Sequence, residues 1–214
     1  MSLTTLVAQV QKHFPGSIRV RQEIWLTATP PLLCGYSFEP SSEGGVFRPR
    51  AIIMPTYTRE EFVFLNHSLE LWPSGGNSTW WFDAKQMERI IPDLVAKLGG
   101  PGARFLHDNG RDLPAFLAYL KGKHPPPVTD PHYLLALGCG RALLGELDAA
   151  IRWLQPLLSA EYSQDEVDWV RARSRQASEA MAAIREGDAA IRRLLDGWSR
   201  QTLVSLGIIR SETG

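Results

Sequence analysis

The chain has no excess charge of either sign: 23 lysines and arginines face 23 aspartates and glutamates. Capture of a polyanion by bulk charge is therefore excluded, and no nucleic-acid partner is expected. Cysteine is scarce. Cys34 and Cys139 could form one bridge at most, so a disulfide framework is ruled out and a reducing compartment suits the chain. No apolar run approaches the roughly 20 residues that cross a bilayer, and no membrane partner is expected. The first residues, MSLTTLVAQVQKHFPG, have neither the basic start nor the apolar centre of a secretory signal, which leads to the expectation of a cytoplasmic protein. The histidines are His13, His67, His107, His124 and His132, with no HExxH and no Cys-x-x-Cys, so no metal site is expected. No GxxxxGK[ST] loop occurs. Gly138-Cys139-Gly140 with Gly145 lacks both the spacing and the preceding strand of a dinucleotide fingerprint. Neither cofactor nor catalytic residue is expected.

What the chain does have is apolar content. With 44% hydrophobic residues in 214, it can bury a core of one large domain or two small ones. Leu3 to Phe14 reads as a helix with Leu6, Val7, Val10 and Phe14 on one face. Ile18 to Thr27 alternates, placing Ile18, Val20, Ile24 and Leu26 inward. Leu32 to Glu39 and Val46 to Met54 follow as strands, and Pro49 puts the latter at an edge or a bulge. Glu61 to Leu71 is a fourth strand with Val63, Leu65, His67, Leu69 and Leu71 on one face. Short turns between them favour an antiparallel meander. Asp83, with Gln86 in the capping-box position, opens a helix that Pro92 should kink or split and Gly99-Gly100 should end. A short helix from Asp112 to Lys121 completes the first part. The fold class is α+β: a domain over 1–122 with a four-stranded antiparallel sheet, a proline-rich linker over 123–130 and a helical region over 131–214.

Within the helical region, Asp130-Pro131 makes a helix start, Gly145 a turn, and Ser163 with Glu166 a capping box that opens a helix to Glu186; a last helix follows Gly187. From Asp130 to Leu158, the residues Leu137-Gly138, Gly145, Ala150 and Leu154 fit the spacing of a tetratricopeptide unit. The segment resembles one such helical hairpin, with Leu134 in place of the family's first aromatic and Arg141 in place of its tyrosine. Pro156 falls inside the second helix rather than at its end. The resemblance implies a protein-binding role. The same residues also suit an ordinary antiparallel helical pair with small residues at its crossing.

For binding, the residues of choice are Trp72, Trp80, Trp81 and Phe82, aromatics gathered around a Gly-Gly turn. Rings of this size anchor partners when exposed and fill cores when not. The functional expectation is a non-enzymatic, cytoplasmic interaction protein of the bacterial immunity or accessory type, whose partner is a protein or peptide. The competing reading is a small-ligand binder or hydrolase-like enzyme with a pocket between sheet and helical half, to which Cys139, His67 or His107 would contribute. Arg171, Arg173, Arg175, Arg192 and Arg193 alternate with carboxylates and read as a salt-bridged, solvated face.

Overall fold

The structure, a computed structural model, describes residues 2–42, 45–74, 82–123, 129–164 and 167–210. It is an α+β protein that divides into two compact units. The first comprises residues 1–54, 63–115 and 206–210; the second comprises 55–62, 116–205 and 211–214. The expected linker residues 124–128 lie outside the described set.

The first unit carries a six-stranded sheet in the order β1-β2-β3-β4-β5, with β6 also on β4. Its strands are β1 (Ile18–Val20), β2 (Glu23–Thr29), β3 (Leu32–Pro40), β4 (Val46–Pro55), β5 (Ser68–Glu70) and β6 (Phe82–Asp83). The single strand expected from Ile18 to Thr27 is in fact a hairpin. It turns at Arg21, which adopts a left-handed backbone with φ 53°, and Ile18 then pairs with Trp25. A bulge between Trp25 and Thr27 moves the facing residues. Trp25 is buried, whereas Leu26 and Ile18 are 37% and 41% exposed. The alternation that counted Leu26 inward was broken by that one extra residue. Gly35 sits opposite the bulge. A Cβ there would lie 2.3 Å from the Ile24 carbonyl oxygen, so only glycine admits this approach.

Pro49 is neither at the end of β4 nor in an unbroken ladder. On one side of β4, β6 pairs with Val46 and Phe47, and β5 pairs with Arg50 to Ile52. Pro49 occupies the gap between them, where its carbonyl accepts from the Leu71 N–H at 3.0 Å and its missing donor costs nothing. The fourth strand expected over 61–71 shrinks to Ser68–Glu70. Asp83 caps a short 3-10 turn, Ala84–Gln86, before α2 (Met87–Lys97). That helix runs through Pro92 and ends at Lys97, just before Gly99-Gly100. They lie in a π turn, Leu98–Gly102, that leads into α3 (Ala103–Gly110). Leu6, Val7 and Val10 of α1 (Leu3–Gln11) are buried, as are Tyr36, Phe38, Phe47, Leu94 and Leu98 of the same unit. Tyr36 donates its hydroxyl to the Leu98 carbonyl at 2.8 Å, which satisfies the one polar atom of that ring.

The second unit is helical: the greater part of α4 (Leu113–Lys123), then α5 (Pro131–Leu143), α6 (Leu147–Leu154), α7 (Ala160–Ser163), α8 (Asp168–Glu186) and α9 (Asp188–Ser205). Among its described residues there is no strand apart from the last residue of β4. The Asp130 side chain accepts from the His132 N–H at 2.8 Å and Pro131 takes the first turn, as the sequence indicates. Ten of the thirteen residues of α5 are buried, so this helix is the unit's axis. Gly145, at φ 77°, turns the chain into α6, with its N–H on Ala142 and that of Glu146 on Arg141. Gly138 and Ala150 form the crossing. A Cβ on Gly138 would lie 2.5 Å from Leu154 Cγ and 3.3 Å from the Ala150 carbonyl. The helix expected from Ser163 to Glu186 begins later, as α8 at Asp168 with Val167 in the cap position; α7 ends at Ser163, and Glu166 of the expected capping box lies outside the described residues. No helix of the described residues is long and apolar enough to cross a membrane.

Candidate functional site

The aromatic cluster singled out from sequence is only partly described. Trp80 and Trp81 lie outside the described residues. Phe82 is 3% exposed and stacks on Phe47 with ring centroids 5.8 Å apart, so it belongs to the core of the sheet unit. Trp72 is half-buried, and the Arg48 guanidinium lies 5.8 Å from its ring centroid. Around it the sheet face is charge-compensated. Arg48 and Arg50 both reach Glu70, at 2.9 and 2.6 Å, and Arg50 also reaches Glu39 at 3.1 Å.

The groups considered for catalysis are poorly suited to it. Cys139 is completely buried in the helical unit, and burial pushes its pKa up to about 12. At neutral pH it is a thiol, not a thiolate nucleophile. Cys34, in the sheet unit, is pushed up to about 11 for the same reason and donates to the Gly110 carbonyl at 3.4 Å. His67 is 1% exposed. His107 is exposed beside Asp108 at 3.2 Å, a pair of sequence neighbours on α3. Among the described residues, no group of three histidine, cysteine or acidic side chains could hold a metal ion.

Segment 55–62 brings a polar core into the helical unit. Arg173 of α8 and Glu60 form an ion pair at 2.5 Å, with side chains 7% and 5% exposed. Arg173 also donates to the Thr58 carbonyl at 3.1 Å, to Gln176 at 2.9 Å and, through Nε, to His132 Nδ1 at 3.1 Å. Glu60 accepts from the Thr58 hydroxyl at 2.9 Å, and its N–H donates to Thr202 at 2.9 Å. The arginine expected on a solvated face is thus the most enclosed charge of α8. Burial, then the charge of Arg173, holds the pKa of His132 down to about 3, and its ring stacks on Trp169 at 4.6 Å. So many internal bonds fix these side chains to one another and identify the cluster as structural.

An open site lies on the hairpin itself. Lys121 of α4, Leu137 and Arg141 of α5, the turn residue Glu146, and Ala149, Arg152 and Trp153 of α6 line a groove of about 530 Å³. Helical geometry explains the grouping. Leu137 and Arg141 are four apart on α5, and Ala149, Arg152 and Trp153 are three and four apart on α6. The half-buried indole of Trp153 and the side chains of Leu137 and Ala149 give it its apolar part. Arg141 is held by Glu146 at 2.7 Å. Lys121 and Arg152 are exposed, and neither forms a salt bridge among the described residues. Three cations and one acid thus line the groove, which carries a surplus of positive charge beside its apolar side chains. Such a surface can hold a carboxylate and an apolar side chain of one ligand at once.

Sequence reasoning found the hairpin but not this groove. The signal was there: Trp153 beside Arg152, on the same face as Ala149, in a strongly amphipathic helix. Lys121 could not have been added without knowing that α4 packs in this unit. No family model, curated protein or solved structure matches this chain, so the functional reading rests on its own residues.

Proposed function

We propose that this chain is a cytoplasmic, non-enzymatic interaction module whose helical unit holds an acidic, apolar-tipped segment of a partner protein in the groove of α4, α5 and α6. The observation that carries the reading is that Lys121, Arg152 and Trp153 line one groove on a chain whose net charge is zero. A neutral protein with a local cationic trough selects for a local acidic patch, not for a polyanion at large. Trp153 supplies the apolar anchor, and tryptophan and arginine are the residues in which binding free energy concentrates. The enclosed thiol of Cys139 and the enclosed ring of His67 weigh against the enzyme reading.

The test uses a fluorescein-labelled hexapeptide that alternates Asp or Glu with Phe or Leu, and a counterpart carrying Lys at every acidic position. Fluorescence polarisation at physiological salt should show saturable binding of the acidic peptide alone. Lys121→Glu with Arg152→Glu should weaken it by at least about tenfold, since each charge-assisted contact contributes roughly 1.5–3 kcal/mol. Equal binding of both peptides, or an unchanged affinity in the charge-reversed variant, would overturn the reading.

A further inference from the structure

A second groove of the helical unit, of about 430 Å³, has different chemistry: it is lined by Leu158, Ser163, Arg171, Ser174, Arg175 and Ser178. Four of these residues fall at i, i+3, i+4 and i+7 of α8, so two guanidinium groups and two hydroxyls share one helix face. Ser163 of α7 adds a third hydroxyl from across the groove. No carboxylate lines it among the described residues. Arg171 is steadied by an ion pair with Asp168, one turn earlier, while Arg175 is exposed and forms no salt bridge among the described residues. The second observation is Ser174. It is only 5% exposed and lines the groove, and its hydroxyl bonds to no group among the described residues. A hydroxyl that opens on a cationic groove is placed to donate to an anion bound there.

We propose that this groove binds a phosphate monoester. Hydroxyl and guanidinium donors arriving from two elements suit a tetrahedral group with three acceptor oxygens and close to two negative charges. A planar carboxylate would be satisfied by one arginine fork alone. Arg175 supplies the mobile charge, Arg171 the fixed one, and Ser174 the buried donor that reads an oxygen at the base of the groove. The phosphate is carried either by a phosphoserine of a partner or by a small phosphorylated metabolite; both present the same group.

Heteronuclear NMR titration with inorganic phosphate, against sodium chloride at matched ionic strength, tests the site. Saturable shifts are expected at the amides of Ser174, Arg175 and Ser178. Arg175→Glu should lower the affinity by at least about tenfold and Ser174→Ala by a smaller factor, both with the wild-type melting temperature. Arg175 is exposed, so its reversal leaves the core untouched. Binding of the acidic hexapeptide should be the same in both variants. A phosphoserine peptide that binds more tightly than glycerol 3-phosphate assigns the partner source, and the reverse order the metabolite. Shifts reproduced by chloride, or an Arg175→Glu variant that melts normally and binds phosphate as well as the wild type, would overturn the proposal.

Discussion

Replacing Glu60 by glutamine removes one charge from the most enclosed ion pair among the described residues and leaves the shape of the site almost unchanged. Its partner Arg173 would keep its bonds to Thr58, Gln176 and His132, none of which carries a negative charge. A guanidinium 7% exposed cannot recover solvation in place of the lost carboxylate. Breaking one side of a buried pair costs about 3–5 kcal/mol, whereas an exposed pair contributes at most about 1 kcal/mol. Against a typical total of about 5–15 kcal/mol, that is about a fifth or more of the stability. At about 2–4 °C per kcal/mol for a chain of this size, the melting temperature should fall by roughly 6–20 °C. Urea titration followed by circular dichroism measures the free energy directly. The double variant Glu60→Leu with Arg173→Met should recover part of the loss, because no charge then stays buried although the Thr58 carbonyl, Gln176 and His132 lose a donor. A loss below about 1 kcal/mol in Glu60→Gln would refute the reasoning, since water would then have to reach the pair.

Three further outcomes follow from the same geometry. His132 is neutral in the fold, with its pKa held down to about 3, but in the unfolded chain it takes up a proton below its ordinary 6.5. Its contribution is therefore complete above about pH 6.5 and is lost progressively as pH falls towards 3. His132→Asn keeps an acceptor for Arg173 without titrating, so its stability-against-pH curve should be flatter over that window; parallel curves would count against the assignment. Gly138→Ala should cost about 1–3 kcal/mol by overpacking against Leu154, read as a lowered urea midpoint, and a neutral result would mean that α5 and α6 are further apart than described. Cys34 and Cys139 should ignore Ellman's reagent at pH 8 in the native protein and react with two equivalents in guanidinium, and rapid native labelling of either would show it accessible.

The parts of the fold legible in the sequence are those specified by neighbouring residues. Asp130-Pro131 and Gly145 bound α5 through a cap, a fixed φ and a left-handed turn, none of which needs the rest of the molecule. Strand pairing is different. The face presented by β2 depends on a bulge at Leu26 that exists only because β3 lies beside it, with Gly35 accommodating the approach. The strand expected over 61–71 had the right alternation, but Glu60 and the residues before it are engaged by α8 and α9 through Arg173, Gln176 and Thr202. Those long-range polar contacts override a local propensity. The same limit applies to function. Aromatics adjacent in sequence were visible, and Phe82 among them is core. The groove draws Lys121, Arg141 and Trp153 from three helices, and the anion groove relies on Ser174, which no pattern distinguishes from other helical serines.

The interleaving of the two units carries a consequence for how the molecule is made. A ribosome delivers the chain from its N-terminus, and domains ordinarily close in that order. Here the sheet unit includes residues 206–210, so its last piece follows every helix of the other unit in time. The helical unit includes 55–62, which emerge before α5 and must wait, with Glu60 unpaired, until Arg173 has been synthesised more than a hundred residues later. Neither unit can be finished while the other is unmade, and neither can be excised by cutting the chain once. A fragment starting after the proline-rich stretch would have Arg173 without its carboxylate. In the order of synthesis, the sheet unit therefore closes only after the last helix of the other unit has been made.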